Sequence, residues 1–146
     1  QNIQLGGFKH LNRLDSVIAR SEWNDQDFFD GVILDNQFNM IEGTMTNIFF
    51  SKKKNLFTPL ICSQGIKGIM RQVVIERARL FFNTVKEIKI NKEELNDFED
   101  MFLTNSLIKI LPVSSFMGKK FVTSESTKKL INFFSGANIK ENLEMS

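Results

Sequence analysis

Glu42-Gly43-Thr44-Met45-Thr46-Asn47-Ile48-Phe49, followed by Thr58 and then by Ile66-Lys67-Gly68-Ile69-Met70-Arg71, puts one carboxylate beside a strand and, two short elements later, a glycine-bracketed helix start. The first N–H groups of a helix have no internal partner, and the helix dipole favours an anion there. Gly68, Ile69 and Met70 therefore offer backbone donors to a phosphate. The plainer alternative is an ordinary helix start with a glycine for close packing. A carboxylate such as Glu42 can keep a ring nitrogen protonated; read without its neighbours, it is a strand-end glutamate in solvent. Upstream, Gly6-Gly7-Phe8-Lys9-His10-Leu11-Asn12-Arg13 sets Lys9 after a glycine pair, where the chain can turn sharply. An amine, a carboxylate and an anion-binding helix start are the parts that a phosphorylated, protonatable ring cofactor needs.

Around this stretch the hydrophobic period switches repeatedly between helix and strand. Leu11, Leu14, Val17 and Ile18 recur at helical spacing and predict a helix from about Asn12 to Trp23. Gly31 to Asp35 reads as a short buried strand, Asn36 to Asn39 as a turn, and Met40-Ile41-Glu42 as the next strand. Asn47 to Ser51 and Asn55 to Leu60 form a hairpin whose solvated tip is Lys52-Lys53-Lys54. Between Gly68 and Asn83, Met70, Val73, Val74, Ala78 and Phe81 make one apolar helical stripe. Val85 to Ile90 alternates as a strand, and Asn91 with Glu94 reads as an N-cap opening a short acidic helix. Phe102 to Thr104 and Ile108 to Val113 are expected strands. A last helix carries Thr127, Leu130, Ile131 and Phe134, with Gly136 as its stop and 138–146 as a frayed tail. Strands and helices are mixed along the chain, which makes the class α/β with a mixed sheet.

Composition narrows the function classes. With 146 residues and 42% apolar residues the chain can bury one domain core. A net charge of +2 from interspersed signs gives no argument for nucleic acid or for an acidic membrane surface. No apolar run approaches the ~20 residues of a membrane-spanning helix. The single cysteine, Cys62, excludes an intrachain disulfide and shows no metal-type spacing; in its apolar run it reads as a buried, reduced thiol. A reducing cytoplasm is the default compartment.

The Glu-x-Thr-x-x-Asn-Ile-Phe run from Glu42, the spaced Thr58 and the Ile-x-Gly-Ile-x-Arg ending at Arg71 resemble the fold-type IV pyridoxal-phosphate enzymes. That family includes branched-chain and D-amino-acid aminotransferases and 4-amino-4-deoxychorismate lyase. Three details resemble the lyase branch more: Lys9-His10-Leu11-Asn12-Arg13-Leu14-Asp15, Gly68-Ile69-Met70-Arg71, and Thr104-Asn105-Ser106-Leu107 running into Leu111-Pro112-Val113. The resemblance implies a mixed-sheet pseudobarrel with flanking helices, the larger C-terminal domain of such enzymes (D-amino-acid aminotransferase-like). Residues 1–146 then form a single cofactor-carrying domain without the family's smaller N-terminal domain, and little activity is expected from it alone.

The same resemblance implies the site. Lys9 is the Schiff-base lysine and the catalytic base and acid for pyridoxal 5'-phosphate. Glu42 faces the pyridine nitrogen, and Gly68, Ile69 and Met70 bind the phosphate. Asn105 and Ser106 add phosphate contacts, although by themselves they read as a turn. Asn47 ties down the loop after Glu42, or is a plain Asx-turn residue. Arg71 is expected to pair with a carboxylate or to order its turn, not to bind phosphate. His10 reads as structural or capping. With no Tyr in the chain, the cofactor's phenolic oxygen falls to Asn12 or Arg13, and both remain open. No metal is expected. The implied activity is conversion of 4-amino-4-deoxychorismate to 4-aminobenzoate and pyruvate, toward folate, with a homodimer in the full-length protein. The alternatives are an amino-acid aminotransferase and, in another class, a catalytically silent folded domain.

Overall fold

The computed structural model describes residues 13–20, 27–61 and 68–145. Among them, ten strands follow one another as β1 (Arg13–Arg20), β2 (Asp27–Leu34), β3 (Asn39–Gly43), β4 (Asn47–Lys52), β5 (Asn55–Pro59), β6 (Thr84–Ile88), β7 (Ile90–Asn91), β8 (Asp100–Asn105), β9 (Lys109–Phe116) and β10 (Lys119–Lys120). Among the described residues two α-helices accompany them, α1 (Ile69–Arg77) and α2 (Glu125–Met145). The strands join in the order β6-β5-β4-β8-β9-β1-β2-β3-β7, with β10 beside β9. Among the described pairs only β5–β6 is parallel, and α1 lies in the crossover that joins these two strands. The result is the mixed sheet with flanking helices that the sequence predicts.

The centre of the sheet is apolar on both faces, and the alternation of side chains explains why. In β4, Ile48 and Phe50 enter one core while Phe49 enters a second; in β8, Met101 and Leu103 join the first and Phe102 the second. Val32, Leu34, Met40, Val113 and Phe116 from the more distant strands complete the first core. Met70, Val74, Ile75 and Ala78 of α1 and its extension, with Leu130 and Ile131 of α2, cover the second. Phe49 and Phe102 are directly paired across β4 and β8, and their rings stack with centroids 5.0 Å apart. The open edges differ. β7 is two residues long, and β6 carries exposed Lys86 and Glu87 with Lys89 just beyond it.

Three expectations change. Arg13–Arg20 is a strand, not the start of a helix over Asn12–Trp23: its eight successive residues pair with Leu34 to Asp27 of β2, and three also pair with β9. Two ladders satisfy the backbone of this short segment better than its ambiguous apolar spacing could decide. The remainder of that expected helix, 21–23, lies outside the described residues. Helix α1 ends at Arg77 and tightens into a 3-10 turn at Ala78–Leu80, short of Asn83, because Asn83 N–H bonds Lys54 O at 2.7 Å and starts the return to β6. Helix α2 runs on through Gly136 to Met145; a glycine inside a helix costs only about 1 kcal/mol against alanine. The Asn91 cap is present with its reciprocal Glu94 bond, on a 3-10 turn over Lys92–Asp97.

Candidate active site

One end of the β3–β4–β8 region gathers the segments singled out in the sequence. Glu42 lies near the end of β3, half-buried. The loop that follows it is tied by a single carboxylate. Asp30, buried at the end of the β2 strand's first half, accepts from Gly31 N at 2.7 Å, from Thr46 Oγ1 at 2.8 Å, from Met45 N at 3.4 Å, and from Thr44 Oγ1 in a short bond. Gly43 N donates to Thr46 O at 2.7 Å and Thr44 N to Gly31 O at 2.9 Å. A Cβ on Gly43 would collide with Thr46 Oγ1 and the Asp30 carboxylate, so this knot requires glycine for space. Loop 44–46 is thereby held by several hydrogen bonds to one buried acceptor, and charge-assisted bonds of this kind are the strong ones.

Asn47 opens β4, buried, and its side chain presses on Gly68 at the start of α1; a Cβ there would strike Asn47 Oδ1. Gly68 has ordinary extended angles (φ −75°, ψ 145°), so its role is close approach rather than an unusual conformation. Gly68 at the N-cap has no side chain with which to cap α1, and among the described residues no side-chain cap bond reaches its first N–H groups. Ile69 is exposed beside them, whereas the Met70 side chain belongs to the second core. Asn105, at the end of β8, accepts from Leu107 N at 2.9 Å and Ile108 N at 2.8 Å and donates from Nδ2 to Met45 O at 3.0 Å. It therefore closes its own turn and ties it to the loop after Glu42. Ser106 is exposed in that turn. Thr58 is structural: buried, it donates to Ile48 O at 2.7 Å.

Arg71 is almost wholly buried. Its Nη2 donates to Glu87 Oε1 at 2.8 Å and to Pro59 O at 3.2 Å, the carboxylate pairing expected of it. Burial raises the Glu42 carboxyl above its ordinary value of 4.5, and the positive charge of Arg71 partly offsets that rise. Thr104 pairs directly with Asn47 across the β4–β8 ladder, so both side chains leave the sheet on the helix side. Its hydroxyl is buried with no hydrogen-bond partner among the described residues. Lys9, His10, Asn12 and Cys62 lie outside the described residues, and Arg13 is placed by its backbone on β1. The sequence reading passed over Asp30 and quoted Thr104 within a motif without giving its hydroxyl a role. A lone carboxylate inside the apolar run Phe28-Phe29-Asp30-Gly31-Val32 was the available signal for the first.

Together, a half-buried carboxylate, a helix start opened by a glycine and a buried hydroxyl without a partner among the described residues fit a ligand with a basic ring nitrogen and a phosphate. The fold and this constellation define an α/β enzyme scaffold with its site at the strand and helix ends. The chain belongs to the amino-transferase class IV family, whose pattern matches residues 1–116. It is 36% identical over 110 residues to the aminodeoxychorismate lyase of Vibrio harveyi, covering 75% of this chain and 41% of that one. It superposes on the branched-chain amino acid aminotransferase of Escherichia coli with a TM-score of 0.67 and 30% identity, over 73% of this chain and 36% of that one. It superposes equally, TM-score 0.67 and 28% identity, on the 4-amino-4-deoxychorismate lyase of Pseudomonas aeruginosa, over 77% of this chain and 42% of that one. The chain thus spans about two fifths of the length of these relatives. Among the described residues no helix is long and apolar enough to cross a membrane.

Proposed function

We propose that this chain is the cofactor-carrying part of a pyridoxal-phosphate lyase that converts 4-amino-4-deoxychorismate to 4-aminobenzoate and pyruvate, a step toward folate. The observation that carries the cofactor half of this reading is Glu42, half-buried and under the influence of buried Arg71, at the same end of the sheet as the uncapped start of α1. The lyase half rests on the 36% identity to the Vibrio harveyi enzyme. The 30% likeness to the Escherichia coli branched-chain aminotransferase supports transamination as the second reading.

The family's cofactor, when bound, supplies an electron sink that stabilises a carbanion at the amine-bearing carbon. The residues here divide the remaining work. Glu42 holds a proton at the ring nitrogen, where its negative charge favours the protonated form. The N–H groups at Gly68, Ile69 and Met70 would donate to the phosphate, with Thr104 and Ser106 as further hydroxyl donors at the same end and Asn105 holding the turn that presents Ser106. Asn47 fixes the position of the helix start against Gly68. Lys9 provides the amine that holds the cofactor aldehyde and then moves the substrate proton. The lyase reaction balances without a co-reactant: the enolpyruvyl side chain leaves as pyruvate, and the ring it leaves becomes aromatic. The full-length protein is expected to act as a homodimer.

The test supplies 4-amino-4-deoxychorismate to the full-length protein loaded with pyridoxal phosphate, without any 2-oxo acid. Stoichiometric pyruvate and 4-aminobenzoate are expected. Turnover only when a 2-oxo acid is added, with an amino acid as product, would establish the aminotransferase reading instead. Borohydride reduction and peptide mapping should place the label on Lys9; a label on another lysine, with Lys9 unmodified, overturns that assignment.

A further inference from the structure

Asp30 is buried in β2, and both of its carboxylate oxygens are engaged. Among the described side chains no cation pairs with it. The donors that meet it are Gly31 N and the Thr44 hydroxyl at Oδ1, and the Thr46 hydroxyl and, at 3.4 Å, Met45 N at Oδ2. All but Gly31 belong to loop 44–46, which lies between two ladders. The β2–β3 pairing stops at Val32–Gly43, and the β4–β8 pairing stops at Asn47–Thr104. The middle residue of the loop is engaged on both sides. Met45 N faces Asp30, and Met45 O accepts from Asn105 Nδ2 at 3.0 Å. Asn105 Oδ1 in turn holds Leu107 N and Ile108 N, the backbone that shapes the turn of exposed Ser106. A continuous chain of hydrogen bonds therefore runs from Asp30 through Met45 and Asn105 to the Ser106 turn. Glu42 stands one residue before Gly43, which packs on the Asp30 carboxylate.

A buried carboxylate without an ion pair is a costly way to anchor a loop, and an apolar side chain of similar size would be cheaper to bury. What it adds is direction: several donors converging on two oxygens fix the orientation of the loop, which apolar contact does not. Pairing with Ile33 already places Glu42 on its strand. That ladder does not set the distance from Glu42 to the Ser106 turn, which is the span of a ligand with a ring nitrogen at one end and a phosphate at the other. We infer that Asp30 is a positioning residue: through loop 44–46 and Asn105 it sets the spacing between Glu42 and the turn that presents Ser106. The assignment of these two ends to ring and phosphate rests on the proposed function; the coupling of Asp30 to the Ser106 turn does not.

A residue that sets a span matters most for a ligand that uses both ends. The test compares, in the full-length protein, the dissociation constants of pyridoxal phosphate and of pyridoxal, which lacks the phosphate. Asp30→Asn puts an amide NH2 where one acceptor oxygen faced the donors of the loop. Its preference for the phosphorylated form is expected to fall about tenfold, roughly one charge-assisted hydrogen bond. Asn105→Ala should lower the preference likewise, and the two changes together should lower it little further. Equal weakening of both ligands marks a merely structural role and overturns the inference, as do effects that multiply in the double variant. A second measurement needs no cofactor. Amide hydrogen exchange at Leu107 and Ile108 is expected to quicken in Asp30→Asn while that of β4 does not; unchanged exchange there, or a uniform quickening, refutes the coupling. If the parent shows no preference for pyridoxal phosphate over pyridoxal, the proposed function fails, and the exchange measurement decides the inference alone. Should Asp30→Asn not fold, Thr46→Val, which removes one donor from Asp30, takes its place in both measurements with the same expected signs.

Discussion

Gly68 shows what a single missing methyl group does here. Its backbone angles suit any residue, yet a Cβ would meet Asn47 Oδ1 and come within 3.8 Å of Arg71 Cβ. Gly68→Ala should therefore destabilise by about 1–3 kcal/mol through overpacking. The double variant with Asn47→Ala should lose less than the sum of the two single changes, since it removes the obstacle; urea midpoints of the four proteins check both statements. Glu42 makes a different prediction, one of pH. Its folded-state pKa lies above the ordinary 4.5, so between those two values the folded chain binds more protons than the unfolded one. Stability contributed by protonated Glu42 is present at acid pH and lost as pH rises through the raised value. Replacing it with glutamine abolishes that loss, so the variant should gain on the parent as pH rises from the ordinary carboxylate range toward neutrality, as denaturant midpoints at a series of pH values would show. Glu42, Gly68 and Asn105 stood out in the sequence because each sits inside a spaced motif, and the fold brings them to one end of the sheet. Asp30 and the Thr104 hydroxyl did not. A buried carboxylate is recognisable only by the hydroxyls and N–H groups that reach it, and Thr104 only by the absence of any partner.

Turns and short helices show where element-level reading succeeds and fails. The hairpin between β4 and β5 was expected, and its connection is a two-residue turn with Lys53 at φ 49° and Lys54 at φ 64°. Two positive φ values make this a type I′ turn, whose usual residues are asparagine and glycine rather than lysine. The flanking apolar runs located it; the turn residues themselves carried no signal. Left-handed backbone costs a side-chain-bearing residue roughly 1–2 kcal/mol, and glycine returns part of that gain as unfolded-state entropy. Lys54→Gly is therefore expected to stabilise the chain by about 0.5–1 kcal/mol, read from its thermal midpoint. The Asn91–Glu94 capping box was legible because reciprocal capping is a local pattern. Arg13–Arg20 was misread for the opposite reason. Its strand state is set by β2 and β9, distant in sequence, and eight residues are too few for periodicity to separate the two outcomes.

At the scale of the molecule, the β4–β8 pair acts as a partition between two apolar compartments, with the candidate site at one end of it. The apolar runs Ile48–Phe50 and Met101–Leu103 marked strands in the sequence, but which side chain entered which compartment followed only from strand pairing. The sheet order itself, with β8 and β9 inserted between β4 and β1, is a long-range property that no local window encodes. The outermost strands of that order have a consequence for how the chain behaves in a crowded solution. A sheet that ends in an unpaired strand offers its backbone to any other chain that can add to it, which is a route to fibrils. Here one margin is too short to template anything, and the other carries two exposed lysines and a glutamate over Lys86–Lys89. Glu87 thus guards the margin against intermolecular strand addition while its carboxylate holds Arg71, so a mutation there would affect colloidal behaviour as well as the anchoring of a buried charge.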